Sequence, residues 1–104
     1  MNAMVREYLV REVLGIEDEE MLQSLYADYL STIDEGIADM RNQLAAGDFA
    51  TLDQTAHTMK GATSTVGDRE MFDAVIRLRD AAKASDPAAA SSAAAEIETL
   101  RASR

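Results

Sequence analysis

The 104-residue chain contains no cysteine and no tryptophan, one proline and a single histidine. Without cysteine there is no disulfide, no thiolate metal ligand and no cysteine nucleophile, and a reducing compartment is expected. No apolar run approaches the ~20 residues of a membrane span. Arg6, Glu7, Arg11 and Glu12 interrupt the apolar residues of the first segment. That breaks the continuous stretch a signal peptide needs, so the expected location is cytoplasmic. Basic residues are also scarce, 10 against 19 acidic, for a formal charge of −9. Such a surface repels phosphate backbones and anionic lipid, so neither nucleic acid nor a membrane is expected as a partner. Where the few cations lie then becomes informative.

What is abundant is Ala, Leu, Met, Glu and Arg, residues that lose little rotamer freedom in a helix. Val and Ile are sparse and scattered. The length suits one domain over residues 1–104 with one modest core. Turn signals divide it: Gly15, Gly47-Asp48, Gly67-Asp68 and Ser85-Asp86-Pro87 each read as a helix stop or as a capping residue before the next helix. Between them apolar residues recur at helical spacing. This predicts a short helix from about Asn2 to Leu14, with Val5, Leu9 and Val13 on one stripe, and a long one from about Asp18 to Ala46, with Gly36 as a candidate kink. A third is expected over about Phe49 to Val66, a fourth over about Arg69 to Ala84 and a fifth over about Pro87 to Ala102. The fifth offers mainly alanines to a core, and its competing reading is a frayed tail. Short links favour antiparallel neighbours. The expected fold is all-α, an antiparallel up-down-up-down four-helix bundle over about residues 18–102 with an additional short N-terminal helix.

Successive helical residues turn by roughly 100°, which places the apolar stripe of the third helix roughly 130° from His57. His57 therefore faces away from the core, and Asp53, Lys60, Gly61 and Ser64 share its flank. Gly61 stands mid-helix, where Ala would be more stable by ~1 kcal/mol; it leaves a gap beside the imidazole. Ser64 is seven residues from His57, a rise of roughly 10 Å, so the two do not form a hydrolase pair. One histidine, with Gln54 three residues before it, does not make a zinc or di-iron site. No glycine-rich phosphate loop is present.

The run His57-Thr58-Met59-Lys60-Gly61-Ala62-Thr63-Ser64-Thr65-Val66-Gly67 resembles the signature of histidine-containing phosphotransfer (HPt) domains, His-x-x-Lys/Arg-Gly-Ala/Ser with a second Gly ten positions after the His. The likeness extends over roughly Met21 to Leu100. It implies a four-helix bundle whose histidine receives a phosphoryl group from a receiver-domain aspartate or a hybrid histidine kinase and passes it to another response-regulator receiver. On that basis His57 is the phosphoacceptor, Lys60 the basic neighbour of the phosphoryl group and Gly61 the residue that opens the site. Arg79 falls where family members often place Gln or Glu, a departure; it is a candidate donor to the phosphoryl oxygens, and Lys83 extends the same positive strip. Ser64 is a further candidate contact. Asp53 either orients the ring by a hydrogen bond or is plain helix charge.

Free imidazole titrates near ~6.5 and is largely neutral, hence nucleophilic, at pH 7. Transfer from an already activated aspartyl phosphate needs alignment and charge neutralisation more than a strong base. No cofactor of its own is expected; Mg²⁺ belongs to the partner receiver. A bundle of this length has no room for an ATP-binding domain, so no autokinase activity is expected. A closed bundle with one site suggests a monomer. The competing function is a non-catalytic helical adaptor that binds receiver domains.

Overall fold

Aspartates open the four long helices of the computed structural model, which describes residues 1–104. They are α2 (Glu19–Ala46), α3 (Phe49–Val66), α4 (Arg69–Lys83) and α5 (Pro87–Ala102), preceded by α1 (Ala3–Tyr8). The carboxylates of Asp18, Asp48, Asp68 and Asp86 accept from the amides of Met21, Thr51, Met71 and Ala89 at 3.1–3.3 Å. Each such cap contributes about 1 kcal/mol. Pro87 takes the first position of α5, where a missing N–H costs nothing.

Each long helix packs on the next, and α5 returns to α2, closing the bundle. Leu22, Ile33 and Met40 of α2, Leu52 and Met59 of α3, Met71 and Leu78 of α4 and Ile97 of α5 are completely buried. Each large side chain of this kind stabilises the fold by about 1.5–3 kcal/mol. The fifth helix is docked rather than frayed. Ala90, Ala93 and Ala94 are buried with Ile97, Arg101 grips Asp34 of α2 at 2.7 and 3.0 Å, and Arg77 of α4 pairs with Glu96.

One expectation is corrected. The N-terminal helix covers the expected span, but after Tyr8 it widens into a π-helical segment, Leu9–Leu14, whose last bond runs from Gly15 N–H to Val10 O at 2.9 Å. The wider turn ends the 3.6-residue stripe: Val5 and Leu9 are buried, whereas Val13 is exposed. Gly36, the candidate kink, has a packing role. Helix α2 runs unbroken through it, and the glycine is there for packing. A Cβ would stand 2.6 Å from Met59 Cγ and 2.7 Å from its Sδ. Replacing Gly36 with Ala gains ~1 kcal/mol of helix propensity against an overpacking cost of ~1–3 kcal/mol. A net loss of about 1 kcal/mol is expected, read as a lower urea midpoint at unchanged slope.

The turn between α3 and α4 carries the fold's buried polar cluster. Asp68 is fully buried. It accepts from the Tyr29 hydroxyl at 2.7 Å and from Arg104 Nε and Nη2 at 3.0 and 2.9 Å, besides capping α4. Burial alone pushes its carboxyl up; the hydrogen bonds from Arg104 and Tyr29 outweigh this and hold it below the usual carboxylate range. Just before it, Gly67 ends α3 with φ +69°, and the Tyr8 ring of α1 lies where a Cβ would be. The second glycine of the motif is thus required by backbone and packing together.

Candidate functional site

Helix α3 is seated by Leu52, Ala56, Met59, Thr63 and Val66, all buried. With that face committed to the core, the opposite flank is presented outward. His57, Gly61 and Ser64 are exposed, and Asp53 and Lys60 are half-buried. A Cβ at Gly61 would meet no atom within 4 Å. Nothing in the fold therefore demands glycine at this position; the gap beside the imidazole is open to whatever approaches. The hydroxyls of the motif turn back onto their own helix, Thr58 to Gln54 O, Thr63 to Lys60 O and Thr65 to Gly61 O, and none holds the ring.

Nor does Asp53 orient the ring. Its Oδ1 accepts from Arg79 Nε of α4 at 3.1 Å, so Asp53 and Arg79 are joined across the α3–α4 seam, one turn before His57. That contact aligns the two helices and places Lys83 one turn beyond Arg79. The same stripe of α4 carries three residues that sequence reasoning missed, exposed Arg69 and half-buried Phe72 and Ile76. Their spacing with Arg79 and Lys83, at 69, 72, 76, 79 and 83, was the available signal. Arg69 lies beside Ser64, lining with it and Phe72 a small hollow at the end of α3.

Electrostatics separates this flank from the rest of the acidic surface. Arg6, Arg11, Arg41, Arg77, Arg79, Arg101 and Arg104 are each paired with a carboxylate. The basic residues left over are Lys60, Arg69 and Lys83, all on the α3–α4 flank. On the other side of the His57 ridge, the groove between α3 and α2 is lined by hydroxyls and carboxylates, including Thr32, Glu35, Asp39 and Thr58. His57 thus stands between a cationic strip and an acidic groove. No three carboxylate or imidazole groups converge as a metal site, and no helix is long and apolar enough to cross a membrane.

No curated protein and no solved structure matches the chain. The family model of the Hpt domain does, over residues 24–103. That range holds α3, the α4 stripe and α5, and with it the whole flank around His57; the chain belongs to the Hpt domain family, whose members take part in phosphorelays.

Proposed function

We propose that the protein is a phosphorelay intermediate that carries a phosphoryl group on His57 between receiver domains, or from a hybrid histidine kinase to a receiver. The observation that carries this reading is the exposed imidazole beside an empty space at Gly61, in a helix otherwise packed to full burial on its inner face.

In the transfer, the ring nitrogen that lacks a proton attacks phosphorus. The P–N bond forms as the P–O bond to the donor aspartate breaks, and the carboxylate leaves with the electron pair. The other ring nitrogen keeps its proton, so no base is needed. Lys60, free of any carboxylate, neutralises charge on the transferring group; Ser64 and Lys83 extend the polar contacts along the strip. Mg²⁺ held by the partner receiver would supply the remaining positive charge. Reversal of the same step delivers the group to the next receiver.

The test is incubation with labelled phosphoreceiver. Acid-labile, base-stable label on this protein is expected. Free phosphate released with no labelled intermediate, or binding without transfer, would replace the carrier reading with a phosphatase-like or adaptor role. Gly61 supplies a second prediction. The Cβ of Gly61→Leu meets no neighbour in the fold, so the variant should leave stability equal or higher, while its side chain holds the partner off the ring and slows transfer by roughly 100-fold. Wild-type transfer rates in that variant would remove the steric account.

A further inference from the structure

Helices α2 and α3 touch at the level of the imidazole. Gly36 of α2 packs against Met59, two residues after His57. Around that contact Glu35 and Asp39 of α2 face Thr58 of α3 across a groove of about 290 Å³, which Thr32 and Gln43 also line. Glu35 and Asp39 are exposed, and no ion pair of the fold uses either one. The hydroxyl protons here are already committed. Thr32 donates to Asp28 O at 3.1 Å and Thr58 to Gln54 O at 3.3 Å, so what these side chains have left to offer is oxygen lone pairs. Gln43 Oε1 is buried without any donor. The groove is therefore rich in acceptors and negative charge. Its complement is a lysine or arginine side chain, which carries several donors, no acceptor and a positive charge. Asp28 continues the same stripe of α2, at 28, 32, 35 and 39, into the adjoining hollow.

We propose that this edge of α2 is a docking surface for the basic side of a receiver domain, whose lysine or arginine side chains seat against Glu35 and Asp39 while its aspartate meets His57. This rests on His57 being the phosphoryl carrier. Across the His57 ridge the sign reverses, because the unpaired cations Lys60, Arg69 and Lys83 lie toward α4. A surface of two signs sets the orientation of a partner as well as attracting it. A receiver that is acidic on both sides of its aspartate is turned away.

The probe is a panel of purified receiver domains, each phosphorylated with labelled acetyl phosphate, and the initial rate of label transfer to the full chain is followed against receiver concentration. Glu35→Lys/Asp39→Lys is compared with Glu12→Lys/Glu20→Lys, which changes net charge equally at exposed carboxylates outside the groove. For a receiver that labels wild type, the half-saturating concentration should rise about tenfold in the groove variant and by less than about twofold in the control. Glu35→Gln/Asp39→Asn should fall between wild type and the reversal. Added salt should bring wild type toward the groove variant. All the changed side chains are exposed, so thermal melts should show each variant folded. Equal half-saturating concentrations in wild type and the groove variant would overturn the proposal. An equal rise in groove variant and control would also overturn it, by reducing the effect to net charge. Failure of the relay reading shows differently: phosphoramidate would label wild type but no receiver would, and the docking surface would fall with it.

Discussion

His57→Gln should abolish phosphoryl transfer completely while leaving the bundle intact. The ring is exposed and makes no contribution to the core, so a neutral side chain of similar reach costs little, within about 0.5 kcal/mol. The loss of activity is total because no other residue can take over. The chain has one histidine and no cysteine. Ser64 is displaced along the helix by roughly 10 Å and has no base beside it. The measurement is label transfer alongside a thermal melt. A folded variant that still acquires acid-labile label would place the phosphoryl group elsewhere and remove His57 from the mechanism.

Asp68→Ala is expected to be the most damaging single change to the fold. It strips the buried charge partner from Arg104, whose side chain is only 6% exposed, and leaves it the exposed Glu70 at 3.6 Å; it also deprives the Tyr29 hydroxyl of its acceptor and uncaps α4. Removing one member of a buried ion pair costs about 3–5 kcal/mol, against a total stability of ~5–15 kcal/mol for a domain. The pH dependence follows from the sign of the Asp68 shift. Its folded-state pKa lies below the usual carboxylate range. The stabilisation it contributes is therefore present above the unfolded carboxylate pKa, ~3.9, and is lost as pH falls through the lower folded value. Urea midpoints of wild type should drop below about pH 4, and Asp68→Asn should show a shallower acid limb. Parallel acid limbs in the two proteins would mean that the Asp68 charge does not carry this stability.

Sequence alone located the flank because helical periodicity is a local property. Aspartate caps set the starts of α2 to α5 and glycine stops the ends of α2 and α3; once α3 had limits, the rotation per residue put His57, Lys60, Gly61 and Ser64 together. What stayed hidden depended on contacts between helices. Asp53 sits where it could have served the ring, and only the approach of α4 shows that it serves Arg79. Asp68 was legible as a cap but not as the acceptor for Tyr29 and Arg104, residues 39 and 36 positions away. Gly36 was ambiguous for the same reason. A mid-helix glycine signals either a bend or a close neighbour, and the neighbour, Met59, is on another helix. The π-helical segment after Tyr8 left no mark in the apolar pattern.

The inner face of α5 is built largely from methyl groups, and this has a bearing on how the molecule breathes. Between Pro87 and Ala95 the buried side chains are alanines alone, whereas the residues farther along are pinned by Ile97 and Arg101. A stretch with so little apolar area per residue opens at small free-energy cost. Amide protons there should exchange with solvent well before those of α3. Such opening peels away a segment that packs on α4 and α2 rather than on α3, so the helix that presents His57 persists through fluctuations that already loosen the far side of the bundle.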